Sequence, residues 1–172
     1  TAFLQQVNGN PEIRIICLRG MGISFCAGAD LVWMQRASDL TFEENLAESM
    51  LLSRCYDEMH NSPKITIAAV HGAAIGGAIG LIAACDLALA SESSVFLFTE
   101  VKIGLVPAVI SPYVLRNTNK RKVTEYLLTG RRFSGMEAES LGLVTRCVPD
   151  ADFDQSVENL LTELLCAAPL AQ

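Results

Sequence analysis

Two hydropathy patterns alternate along this chain. Short apolar runs rich in β-branched residues, at 13–18 (IRIICL) and 65–70 (ITIAAV), are bounded by glycine, proline or polar residues and predict buried strands. Between them, Thr41-Phe42-Glu43-Glu44 offers a capping box, and Leu46, Met50, Leu51, Cys55 and Met59 recur at helical spacing up to His60, where Asn61-Ser62-Pro63 ends the helix. Residues 87–90 and 95–98 predict two more short strands, separated by the polar loop Ser91-Glu92-Ser93-Ser94. Beyond Pro107 the pattern turns mostly helical. Ser111-Pro112 starts one short helix, residues 120–129 make another, and Ser134-Gly135-Met136-Glu137 caps a third that ends at Gly142. A short strand at 144–148 precedes an amphipathic helix at 154–166, with Val157, Leu160, Leu161, Leu164 and Leu165 on its apolar side. The alternation of strands and helices predicts an α/β fold.

Residues 71–86, HGAAIGGAIGLIAACD, form the most informative stretch. The apolar strand before it and the Ala-rich apolar run after it predict a buried strand turning into a buried helix, with the turn at Gly76-Gly77. A helix that starts there presents unpaired N–H groups able to hold a developing anion. Residues 65–85 are also about long enough to span a bilayer. Glycines at 72, 76, 77 and 80 and His71 interrupt that reading, and no Lys- or Arg-rich flank marks an orientation.

With 172 residues, 51% of them hydrophobic, the chain is large enough for one domain with a real core. Its first ten residues, TAFLQQVNGN, show no basic segment followed by an apolar core, so no signal peptide is expected, and the ends read as those of a fragment. The net charge of −6 argues against a broad positive surface for nucleic acid. Six cysteines lie within apolar runs without a C-x-x-C pair, which predicts buried free thiols in a reducing compartment, the cytoplasm or a mitochondrial matrix.

Two glycine-containing turns are the chemical candidates. FCAGAD at 25–30 and IGGAIG at 75–80 each let a ligand approach the main chain, and two converging N–H groups would form an oxyanion hole. The alternative is that these glycines serve only close packing of strand on helix. Glu100 follows an apolar strand and precedes Ile103-Gly104-Leu105-Val106-Pro107, so it is the better acid/base candidate. Burial there would raise its pKa toward neutrality, whereas a capping or ion-paired glutamate would have no such role. Asp86 reads as structural, fixing backbone donors of the turn that follows, and His71 as a hydrogen-bonded core residue. Neither histidine has a metal-ligand partner at useful spacing. Ser24 and Ser53 lack nucleophile-elbow context, Cys26 and Cys85 read as packing residues, and the basic residues 120–122 with Arg131-Arg132 as a solvated face.

Four segments carry a resemblance: SFCAGADL, PKITIAAVHGAAIGGAIGLIAACDLALA, FLFTEVKIGLVPAVISPYVL and YLLTGRRFSGMEAESLGLV. In order and spacing they resemble the crotonase superfamily of enoyl-CoA hydratases and isomerases. The resemblance implies a ββα spiral core over residues 1–107 and a C-terminal helical region over 108–172 that builds homotrimers, often paired into hexamers. It implies an acyl-CoA thioester substrate and no metal or redox cofactor, coenzyme A being part of the substrate. The thioester oxygen would be held by the N–H groups of Ala29 and Gly77. The CoA portion would lie along 27–32, through Ala27, Asp30, Leu31 and Val32, with Gly76 and Gly80 as further substrate-binding positions. Glu100 falls on the second of two family glutamates, the one that handles the α-carbon proton.

The first glutamate is missing. The typical G-G-G-x-E-L pattern places it where this chain has Gly80, so one of the two usual carboxylates is absent and two-glutamate hydration does not apply. Glu100 then either serves both water and α-proton, as a hydratase, or shuttles a proton between carbons, as an isomerase. GLVPAVISPYV and GADLxWM resemble the branch holding methylglutaconyl-CoA-type and isohexenylglutaconyl-CoA-type hydratases, which favours hydration of a branched or carboxylated enoyl-CoA. A third reading is a non-catalytic acyl-CoA-binding protein on the same fold. The retained Glu100 speaks against it, since a silent site has no need of a buried ionisable group.

Overall fold

The computed structural model of the chain describes residues 2–30, 36 and 39–168. After a short helix α1 (Ala2–Asn8), the chain repeats one path: a strand in a first sheet, a strand in a second sheet, then a helix. Strand β1 (Ile15–Arg19) begins the first turn of the path, Cys26 bridges to the second sheet, and helix α2 (Phe42–His60) closes it. Strands β2 (Ile65–Val70) and β3 (Ala73–Ile75) with helix α3 (Gly77–Ala84) make the next turn. Strands β4 (Leu87–Ser91) and β5 (Val95–Leu97) follow, then a 3-10 turn (Glu100–Ile103) and helix α4 (Ser111–Asn117). Helix α5 (Lys120–Thr129), strand β6 (Phe133–Ser134), helix α6 (Gly135–Leu141), strand β7 (Arg146–Val148) and helix α7 (Phe153–Cys166) complete the described chain.

The first sheet runs β1-β2-β4-β7 with every neighbouring pair parallel; in the second, β3-β5-β6, β3 and β5 are parallel and β6 is antiparallel. The chain crosses from β2 to β3 through His71 and Gly72 alone. Gly72 has φ 60°, and a Cβ there would stand 2.1 Å from the Ile23 carbonyl oxygen, so only glycine fits this corner. Residues 67–70 of β2 have no exposed surface, which explains their unbroken apolar sequence: a central parallel strand is covered on both faces. Helix α3 is apolar all round for the same reason, with Ala78, Ile79, Ile82, Ala83 and Ala84 buried. Among the described residues no helix is long and apolar enough to cross a membrane.

The expected caps form. Thr41 and Glu44 make a reciprocal capping box on α2, and Ser134 and Glu137 make another on α6. Residues 108–168 are tied into both sheets: β6 sets Phe133 opposite Phe96, with stacked rings 5.3 Å apart, and β7 pairs with β4. Three features depart from the hydropathy reading. Helix α1 and strands β3 and β6 are unmarked by it, since β3 is only Ala-Ala-Ile inside a glycine-rich stretch and β6 only two residues long. The strand expected at 144–148 starts at Arg146, Leu143 and Val144 being core residues just past the Gly142 cap. Helix α2 packs on α1 and α3 and buries only Tyr56 and Met59, whereas Leu46, Met50 and Leu51 of its predicted apolar face are 50%, 48% and 60% exposed.

Candidate active site

Three neighbouring parallel segments of the second sheet end side by side, and each delivers one candidate group. Cys26 pairs in parallel with Ala74, its N–H donating to Ala73 and its carbonyl accepting from Ile75, both at 3.0 Å. Ala29 lies three residues beyond Cys26, as Gly77 lies three beyond Ala74. Strand β3 pairs with β5 through Ile75 opposite Leu97, and Glu100 follows β5 at the start of the 3-10 turn. The carboxyl ends of parallel strands are where ligands of α/β folds bind.

The Gly76-Gly77 turn is held from three directions. The Gly76 N–H donates to the Leu97 carbonyl at 2.8 Å, and the Gly76 carbonyl accepts from the Ile79 N–H at 2.9 Å. In a trans peptide the N–H opposes the carbonyl, so the Gly77 N–H points away from the body of α3, out of its N-terminus. The Gly77 carbonyl accepts from the Tyr56 hydroxyl at 2.9 Å. Gly76 itself has φ 57° and ψ −120°, a conformation open to glycine. A Cβ on Gly76 would lie 3.2 Å from Thr99 Oγ1 and 3.6 Å from Glu100 Oε1, so the carboxylate lies against this turn.

Glu100 is half-buried, and its Oε2 is enclosed with no hydrogen-bond partner among the described residues. A shielded carboxylate oxygen lacking a protein partner is free to take a proton from a bound molecule. The turn at 27–30 is more open. Ala27, Ala29 and Asp30 are exposed, and Gly28 (φ 108°) rests its Cα on Ile75, whose Cγ2 would be 3.5 Å from a Cβ there. Leu31 and Val32 lie outside the described residues.

Gly80 has a different setting. It is buried, and a Cβ would stand 2.4 Å from Ile110 Cγ2 and 3.1 Å from Tyr56 Cζ. The space into which a carboxylate at position 80 would project is therefore filled by Ile110 and Tyr56. Neither residue stands out in the sequence as part of a site. Tyr56 is not among the residues that mark the apolar periodicity of α2, and Ile110 only ends an apolar segment.

Asp86 is structural, with one correction: its carboxylate accepts from both the N–H and the hydroxyl of Thr66, each at 2.8 Å, so it fixes β2 rather than the turn that follows it. His71 donates from Nε2 to the Gly22 carbonyl at 2.8 Å, holding the loop before Ser24. The cysteines are free, but only Cys85 is buried: Cys26, Cys55 and Cys147 are half-buried, and Cys17 and Cys166 are exposed. Burial pushes the Cys85 thiol up to about 12, which keeps it protonated and unreactive at neutral pH. In the basic region, Arg131 pairs with Glu125 and Glu137 at 3.1 and 3.2 Å while Lys120, Arg121, Lys122 and Arg132 are exposed. A cavity of about 610 Å³ bordered by Ile13, Arg14, Lys64, Ile65 and Asp86 includes none of the candidate site residues.

Comparison with known proteins points the same way. The family model described as enoyl-CoA hydratase/isomerase matches residues 1–172. The crystal structure of an enoyl-CoA hydratase from Shewanella pealeana superimposes with a TM-score of 0.93 at 39% identity, over 98% of this chain and 63% of that one. AtuE of Pseudomonas aeruginosa also gives 0.93, at 34% identity, over 99% of this chain and 66% of its own. The peroxisomal Delta(3,5)-Delta(2,4)-dienoyl-CoA isomerase of Arabidopsis thaliana is 33% identical over 182 residues, covering 98% of this chain and 64% of that protein. The chain spans between 56% and 66% of the length of the curated relatives it matches. These likenesses extend over the whole two-sheet path, so the ββα spiral expected from the sequence is the fold of this chain.

Proposed function

The chain belongs to the enoyl-CoA hydratase/isomerase family, and from that premise we propose that it adds water across the conjugated double bond of a branched or carboxylated 2-enoyl-CoA. The thioester oxygen sits between the N–H groups of Gly77 and Ala29. As water attacks C3, Glu100 takes one of its protons and the charge moves to the thioester oxygen as an enolate. Glu100 then returns that proton to the α-carbon. Water is thereby divided, OH to C3 and H to C2, with a single carboxylate as both base and acid. Each N–H donor contributes on the order of 10²- to 10³-fold by stabilising charge that exists only past the ground state.

The observation that carries this reading is the enclosed, unpartnered Oε2 of Glu100 against the Gly76-Gly77 turn. With the Gly80 face closed by Ile110 and Tyr56, helix α3 offers no second carboxylate. The branched or carboxylated acyl group rests on the likeness of GLVPAVISPYV and GADLxWM to methylglutaconyl-CoA-type hydratases. Assembly as a homotrimer or hexamer, through residues 108–172, and residence in the cytoplasm or a mitochondrial matrix belong to the same reading. Proton shuttling between C2 and C4, an isomerase reaction, is the second reading, favoured by the same lone carboxylate and by the likeness to the Arabidopsis isomerase.

The test follows the conjugated thioester absorbance with 3-methylglutaconyl-CoA, crotonyl-CoA and a 3-enoyl-CoA. Hydration predicts loss of conjugation with the first two, and Glu100→Gln lowers the rate by about 10³-fold, within the usual range for a lost general acid/base. Gain of conjugation from the 3-enoyl substrate alone overturns hydration in favour of isomerisation. Equal inactivity of both proteins on every substrate identifies a binding protein.

A further inference from the structure

The first turn of α3 is gripped by a side chain that the proposed reaction does not itself use. Tyr56 reaches it from α2, is 1% exposed, and donates its hydroxyl to the Gly77 carbonyl at 2.9 Å. Its ring lies along Gly77 and Gly80, neighbours on one helix face. A Cβ on Gly77 would stand 2.8 Å from the hydroxyl and one on Gly80 3.1 Å from Cζ, so a side chain at either position would push against the phenol. Burial, reinforced by Cys55, Cys26, Glu100 and Tyr113, holds the phenol pKa far above its usual value. The group is thus a protonated donor throughout the neutral range. Tyr113 packs beside it, its ring centroid 5.9 Å away and tilted by 54°.

Glycine pairs are the most mobile backbone, and an oxyanion donor is useful only when its direction is fixed before the charge develops. Leu97 fixes the N–H of Gly76 and Ile79 fixes its carbonyl. The next carbonyl, that of Gly77, is fixed by the phenol. We infer that Tyr56 is a positioning residue that orients the Gly77 N–H toward the thioester oxygen, occupying with its ring the face of α3 from which a carboxylate at position 80 would otherwise project. This rests on the reading of Gly77 as an oxyanion donor. It assigns Gly80 a physical purpose, which is to admit the phenol beside Ile110.

The experiment uses the full chain and a cinnamoyl-CoA bearing an electron-donating para substituent, whose absorbance band moves to longer wavelength as its carbonyl is polarised. In Tyr56→Phe, which removes only the hydroxyl, the red shift of the bound probe is expected to shrink. With enoyl-CoA substrate kcat falls about tenfold and KM stays within about twofold, as for loss of one hydrogen bond felt mainly after the ground state. A red shift and kcat equal to wild type overturn the inference while leaving the oxyanion reading intact. No red shift in the wild type, with the probe bound, overturns the oxyanion reading and the inference with it. If Tyr56→Phe does not fold, 3-fluorotyrosine at position 56 keeps the ring and strengthens the donor. The band must then move, and an unmoved band overturns the inference.

Discussion

The Gly76-Gly77 turn and the turn through Ala27, Gly28 and Ala29 leave neighbouring parallel segments, yet they are held differently. At the first, successive backbone groups are tied to Leu97, Ile79 and Tyr56, and Gly76 is buried. At the second, Cys26 is tied to β3 on both sides, but Ala27, Ala29 and Asp30 stand exposed. The first turn is therefore tied into the core, while the second rests on the surface of the same sheet. Under the proposed reading, such a site would keep a fixed reference point for the reacting carbonyl and let a bound CoA settle the opposite wall. Part of the binding free energy of that CoA would then go into ordering the Ala29 side, lowering affinity without lowering the rate of the bound complex.

The sharpest way to break this comparison is Ala29→Pro, which deletes the exposed N–H. Activity should fall by about 10²- to 10³-fold, as for loss of one oxyanion donor, with a melting temperature near that of wild type because the position is exposed. An unchanged rate would remove Ala29 from the site. Gly80→Glu tests the closed face. With Ile110 Cγ2 only 2.4 Å from the new Cβ, chemical denaturation should show a loss of about 1–3 kcal/mol or more for overpacking a core position. Activity on straight-chain enoyl-CoA should not rise, and a well-folded variant with raised activity would show that the missing carboxylate alone limits that reaction. The smallest effect sharpens the contrast between the turns themselves. Gly76→Ala adds strain at φ 57° and crowds Thr99 Oγ1 at 3.2 Å, whereas Gly28→Ala adds strain at φ 108° with only an ordinary 3.5 Å approach to Ile75. Each should lose about 1–3 kcal/mol from backbone strain, and denaturation curves should rank Gly76→Ala as the more damaging.

Much of this architecture is legible in the sequence because burial and capping leave local marks. The run ITIAAV reads as a two-sided buried strand and is one, and both capping boxes form where Thr41 and Ser134 announce them. What escapes is non-local or too short to pattern. Strand β3 is three small residues between glycines, and the Cys26–Ala74 bridge is a single pair. Yet these two features set the segments leading to Ala29 and Gly77 beside each other, with Glu100 following the next strand. The absence of a carboxylate at Gly80 is visible in the sequence, but its filling is not, since Tyr56 and Ile110 come from other elements and carry only the apolar signature of core residues. Asp86 was expected to serve its own turn and instead reaches back to Thr66, a partner that only the parallel register of β2 and β4 brings near.

The most direct measurement is a crystal structure of the full chain with a non-hydrolysable acyl-CoA analogue bound. The thioester oxygen is expected about 2.7–3.1 Å from both the Gly77 and Ala29 nitrogens, with the Glu100 carboxylate facing the α-carbon and Tyr56 still donating to the Gly77 carbonyl. An analogue whose carbonyl oxygen lies away from either nitrogen, or whose α-carbon faces away from Glu100, would contradict it.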